Sequence, residues 1–125
     1  MNPAEEVTIE QIIQGHQQLI ERARARGLKI FGCTLTPMEG FVLAGTPVFS
    51  PAREAKRQAV NAWIRNSGKY DGVIDFDRVL HDPNSPTKIL AIYDSGDHVH
   101  PNDAGYKALA DAIDLKLFRD NEGQQ

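Results

Sequence analysis

An α/β fold built on two parallel strands and three helices is what this sequence predicts. Two short apolar runs, "LKIFGCTLT" (28–36) and "YDGVIDFD" (70–77), alternate with amphipathic helical stretches, the order of a parallel sheet with helical crossovers. Signals for helix starts and stops stand at the borders of those stretches. The composition, 41% hydrophobic and 25% charged over 125 residues, is that of a single globular domain and not of a disordered chain.

The first helix starts at Thr8, which forms a capping box with Gln11. Ile9, Ile12, Ile13, His16, Leu19, Ile20 and Ala23 then recur on one face, and Gly27 stands where a helix C-terminus wants glycine. After the first strand, "PMEGFVLAGTPVF" (37–49) reads as a loop that packs down through Met38, Phe41 and Phe49. Ser50 and Pro51 supply the N-cap and first position of a second helix. Its inward residues are expected to be Ala52, Ala55, Ala59, Val60, Trp63 and Ile64, with Gly68 closing it. Following the second strand, "HDPNSPTKILAIYDSGD" (81–97) is too rich in proline for a helix and reads as a connection. A last helix begins near Asn102 and turns Tyr106, Leu109, Ala110, Ile113 and Leu117 inward. Residues 1–6 and 119–125 are polar, lie outside the capped helices and are expected to fray.

Two strands are few for an independent sheet. The sheet is therefore expected to be completed by self-association, most simply in a dimer joined along the 28–34 strand edge.

The net charge of −3 gives no reason to expect a nucleic-acid partner. The local basic run "RARARGLK" (22–29) falls in the last turn of the first helix, where cations complement the dipole. Cys33 is the single cysteine, so no intramolecular disulfide forms, and its place in an apolar strand suggests an inert buried thiol. The start "MNPAEEVT" has neither the basic nor the apolar region of a secretory signal, and no apolar run reaches transmembrane length. The expectation is a cytoplasmic protein with no membrane partner and no cofactor.

The strongest functional signal is "DSGDHVHPNDAGY" (94–106), with three aspartates and two histidines just ahead of the last helix. A histidine acting as general base needs its second ring nitrogen held by an acceptor, usually a carboxylate. Asp97 and His100, three apart on a turning loop, supply such a pair locally. A plainer reading is a polar loop whose Asp and Asn residues cap the next helix. A third uses His98 and His100, which on an extended segment would point to one side and, with Asp94, Asp97 or Asp103, hold a divalent ion. His16 reads as a packing residue, and His81 as part of a turn. Asp75 and Asp77, at the end of the second strand, either reach a ligand beyond the strand ends or satisfy local backbone donors.

The block "SGDHVHPNDAGYKALADAID" (95–114) closely resembles the last conserved block of the SGNH (GDSL-type) esterase family, in which Asp-x-x-His precedes a proline. The resemblance extends back through "VNAWIRNSGKYDGVIDFDRVLHDP" (60–83) and "GLKIFGCTLTPMEG" (27–40) to the first helix. It implies a flavodoxin-like α/β/α fold, here partial and spanning 1–125 as one domain, and ester hydrolysis by a Ser-His-Asp triad. Asp97 and His100 match the triad's acid and base. The family's Gly-Asp-Ser, glycine and Gly-x-Asn-Asp blocks are not in these residues, so the chain resembles the C-terminal half of such an enzyme. Ser95 is then the leading substitute nucleophile, ahead of Thr34, Thr36 and Cys33, with water activated by His100 as a further route. The resulting expectation is a small ester hydrolase acting on short-chain or activated esters. Its alternatives are a catalytically silent, self-associating or binding module, and a metal-binding protein.

Overall fold

The computed structural model describes residues 6–119. Helix α1 (Ile9–Ala25) is capped as its sequence dictates: Gln11 N–H donates to Thr8 Oγ1, and Gln11 Oε1 accepts from Thr8 N–H. Strand β1 (Phe31–Cys33) follows, and β2 (Val42–Leu43) pairs with β3 (Thr46–Pro47) in a small antiparallel hairpin. Helix α2 (Pro51–Asn66) carries Ser50 as N-cap, its Oγ accepting from Arg53 N–H. Strand β4 (Gly72–Ile74) runs parallel to β1, with Phe31 opposite Gly72 and Cys33 opposite Ile74. The parallel pair expected from the two apolar runs is therefore present, shorter than those runs. Short helix α3 (Phe76–Leu80), the hairpin β5 (His81–Asp82) and β6 (Ser85–Ile89), and a 3₁₀ turn over Ala91–Tyr93 lead to α4 (Asp103–Asp111). A second 3₁₀ turn covers Leu115–Phe118.

Three expected helices are thus joined by a fourth, and both segments read as loops contain hairpins. The first turns through Ala44 and Gly45, both at positive φ, as a two-residue hairpin connection requires. The second lies in the proline-rich stretch, where Pro83 falls in the turn between β5 and β6. Glu6, expected to fray, is anchored: its carboxylate accepts from Arg53 Nη2 at 2.6 Å and Lys56 Nζ at 3.1 Å. Arg119, also expected to fray, donates its N–H to Lys116 O, and its carbonyl accepts from Lys29 Nζ at 3.2 Å; the rest of the two expected frayed termini, 1–5 and 120–125, lies outside the described residues.

The apolar core consists of Ile20, Val60, Ile64, Ile74, Leu80 and Ile89. Burial on α2 departs from the expected alanine stripe. Ala52 and Ala55 are exposed, while Glu54, Arg57 and Asn61 are buried with Val60 and Ile64. Arg57, 2% exposed, ion-pairs with Glu54 and with Asp77 (2.6 Å) and donates to the carbonyls of Leu35 and Pro86. Arg65 binds Asp75 and Asp77, and Thr34 Oγ1 donates to Asp75 while accepting from Asp77 N–H. Asp75 and Asp77 therefore close the C-terminal ends of both parallel strands onto α2 and do not face an open crevice. A buried charge needs such full pairing to be tolerated.

Other side chains also depart from expectation. Leu19 and Tyr106 are exposed, as is Ala110, and Cys33 is exposed and not buried. His16 is a packing residue as expected, edge-on to Trp63 and Tyr70 and hydrogen-bonded through Nδ1 to the Tyr70 hydroxyl.

Candidate active site

The buried network on α2 also steers the segment leaving β1. Asn61 Oδ1 accepts from Leu35 N–H at 2.7 Å, and its amide donates back to Leu35 O, which Arg57 also reaches. Farther on, Glu39 N–H donates to Thr87 O on β6. These contacts fix the course of a strap, residues 35–41, whose last residues Gly40 and Phe41 lie against the polar loop. Gly40, at φ 97°, lies so close to His98 that a Cβ there would stand 3.1 Å from its ring. Phe41 sets its ring edge-on to His100, with centroids 6.3 Å apart.

The loop itself is closed at its base. Asp94 bridges to Pro101, Ser95 N–H donates to His100 O, and Asn102 N–H donates to Tyr93 O. Asn102 also caps α4 through Gly105 N–H and donates its side-chain amide to Ile92 O. Gly105 is needed at that point: a Cβ would meet Pro101 Cβ at 2.7 Å and Tyr93 O at 2.8 Å. The plain capping reading is thus true of Asn102, and it leaves the aspartates for other partners.

Two Asp–His pairs occupy the loop. Asp97 Oδ2 binds His100 Nδ1, while Oδ1 accepts from the backbone N–H groups of Val99 (2.9 Å) and His100 (2.8 Å). Asp94 Oδ2 binds His98 Nδ1 at 2.6 Å, while Oδ1 accepts from Gly96 N–H and His98 N–H. The His100 ring, and then these backbone donors, hold the Asp97 carboxyl well below the usual range. Partial burial works against ionisation of Asp94, but the Gly96 N–H and His98 outweigh it, so this carboxyl too is lowered. An ionised carboxylate only accepts, so each histidine donates from Nδ1 and keeps Nε2 as the free, basic nitrogen in its neutral form. That is the tautomer a general base requires.

Ser95 lies elsewhere in this arrangement. Its hydroxyl donates to Asp97 Oδ1 at 3.1 Å and makes no hydrogen bond to the imidazole of His100. Thr34 is buried and hydrogen-bonded to Asp75. The metal reading loses its geometry, because His98 and His100 each face their own aspartate. Among the described residues no group of three or more His, Cys, Asp or Glu is placed to hold a metal ion. The Asp94–His98 pair is the feature that sequence reasoning missed; its signal was the second Asp–His spacing, four residues, inside the same loop.

The GDSL-like Lipase/Acylhydrolase family matches residues 2–108, most of the chain and all of the loop. The chain belongs to the GDSL-like Lipase/Acylhydrolase family. The mixed α/β architecture with its parallel pair is consistent with that membership, and the general function it carries is that of an esterase or acylhydrolase. No curated protein matches the chain. No helix of the described residues is long and apolar enough to cross a membrane.

Proposed function

We propose that this chain hydrolyses small carboxylic esters, short-chain or activated, with His100 as general base and Asp97 as the residue that orients it. The observation that supports the reading most is the Asp97–His100 contact within a family of acylhydrolases. In this reading Nε2 of His100 takes a proton from the attacking hydroxyl as its oxygen adds to the ester carbonyl. The imidazolium then returns the proton to the leaving alkoxide as the tetrahedral intermediate collapses, and acid and alcohol are released.

Water is the favoured attacking group, because Ser95 Oγ is engaged by the carboxylate and not by the imidazole. Ser95 then supports Asp97. Without the family's oxyanion-binding blocks in these residues, turnover is expected to be modest and to favour activated esters. Hydrolysis of p-nitrophenyl acetate by the purified chain, compared with His100→Ala, tests the assignment: equal rates in the two proteins would remove it.

A self-associating form belongs to the same proposal. Among the described residues β1 has β4 as its one neighbour, so its other edge is unpaired. Leu28 and Leu35, which flank that strand in the chain, are 59% and 43% exposed. An open edge beside exposed apolar side chains favours pairing with a second copy.

A further inference from the structure

The strap, the β5–β6 hairpin and the polar loop line an open cavity of about 300 Å³ next to His98, at the small end of the range for ligand sites. Its polar groups are Glu39, Asp82, Lys88, His98 and Asp94, the last engaged by His98 and by the backbone N–H of Gly96, and its apolar surface comes from Ile89 and Ala91. We propose that this cavity binds a sugar-like polyol. In an ester substrate that unit would be the alcohol side; this role rests on the ester-hydrolase reading, whereas the binding itself does not.

The donor and acceptor inventory selects the ligand class. Glu39 Oε2 accepts from Thr87 Oγ1 and lies 3.6 Å from Lys88 Nζ, and Asp82 Oδ1 accepts from Asn84 N–H. Both carboxylates keep further lone pairs for a ligand. His98, fixed through Nδ1 by Asp94, offers Nε2 as a third acceptor, and Lys88 is the one ammonium donor lining the cavity. Three acceptors, one donor and an apolar patch suit a molecule with several hydroxyl donors and a C–H face. An anion would meet three carboxylates, Glu39, Asp82 and Asp94, and an acyl chain would strip water from them without replacing its hydrogen bonds. A simple organic cation would pair with a carboxylate but face Lys88.

The cavity also adjoins the proposed base. Gly40 lines it and packs on His98, while the next residue, Phe41, sets its ring against His100. His98 stands at φ 71°, a conformation uncommon outside glycine and asparagine, and the two bonds to Asp94 hold it there. Asparagine is therefore the substitution that removes the imidazole with least backbone conflict.

Saturation-transfer NMR on the full chain, with methyl β-D-glucopyranoside as probe and cyclohexylmethanol as its apolar counterpart, tests the proposal. The glucoside should show transfer and a millimolar Kd, and cyclohexylmethanol none. His98→Asn or Lys88→Met should weaken glucoside binding by about fivefold or more, the effect of one lost hydrogen bond. Lys88 is exposed, so Lys88→Met remains decisive if His98→Asn does not fold. Absence of glucoside transfer, equal transfer to both probes, or unchanged affinity in every folded variant would overturn the site. The two readings fail separately: glucoside binding without ester hydrolysis leaves the cavity standing, and hydrolysis without glucoside binding leaves only the ester-hydrolase reading.

Discussion

Asp97 holds His100 twice, with Oδ2 on the ring Nδ1 and Oδ1 on the residue's own backbone N–H at 2.8 Å. The carboxylate thereby fixes the ring's tautomer and the course of the loop together. Its substitution is therefore expected to disturb both orientation and charge.

His100→Ala should lower the rate of p-nitrophenyl acetate hydrolysis by about 100-fold or more, the usual contribution of a general base. Asp97→Asn should also lower the rate while leaving more residual turnover than His100→Ala, because the amide can still accept at Oδ1 while the ring loses the ionised acceptor that fixes its tautomer. Initial rates of the three proteins measured side by side check this ordering.

Ser95→Ala should leave kcat/KM within about threefold, since it removes one hydrogen bond to an exposed carboxylate. Mass spectrometry during turnover should show no acyl adduct on Ser95. A trapped Ser95 ester, lost together with the rate in Ser95→Ala, would restore the serine route.

The features written most clearly in the sequence are those set by local chemistry. Thr8 with Gln11, Ser50 with Pro51, and Asn102 before α4 are short-range devices, and each caps the helix it announces. Asp97 and His100 were legible for the same reason, being three residues apart on one turn. The face of α2 was not legible, because apolar periodicity cannot show that Arg57 and Asn61 are buried by partners 20 or more residues away, with Glu54 buried beside them as the counter-ion of Arg57. The cavity beside His98 was equally hidden: it needs the strap after β1, the β5–β6 hairpin and the polar loop brought together by folding. The two hairpins were missed where proline and glycine, read as loop signals, lie in or beside their turns.

Self-association through β1 should appear in analytical ultracentrifugation as a dimer that dissociates on dilution. Cys33→Lys places a charge on the exposed open-edge strand and should shift the population to monomer without loss of helix content by circular dichroism. A wild-type chain that stays monomeric at high concentration would dispose of this interface.

Arg57→Ala should destabilise the fold by about 3–5 kcal/mol, the cost of leaving buried carboxylates without their partner. Glu54 and Asp77 would both lose that partner, and the Leu35 carbonyl one of its donors. Lys107→Ala, which breaks an equally short pair with Asp111 on the exposed side of α4, should not move the urea midpoint measurably. Similar midpoints for the two variants would show that the α2 network contributes little.

The acid limb of stability should carry a distinct contribution from Asp75. Partial burial opposes its ionisation, but the Arg65 guanidinium, then Thr34 Oγ1 and Arg78 N–H, prevail and bring its carboxyl from 3.8 to about 2. The folded state thus binds the proton less readily than the unfolded one. Stability from this group is fully present above about pH 4 and is lost as pH falls through 2, on the order of 1–2 kcal/mol allowing for its partial exposure. Burial also pushes His16 down, so its contribution is present above the ordinary histidine value of 6.5 and is lost earlier, as pH falls through its own lowered value. Asp75→Asn should therefore be less stable than the wild type at neutral pH, and the difference should shrink between pH 4 and 2. Urea unfolding at intervals across that range measures it; a difference that stays constant down to pH 2 would mean that the Arg65–Asp75 pair does not set the acid limb.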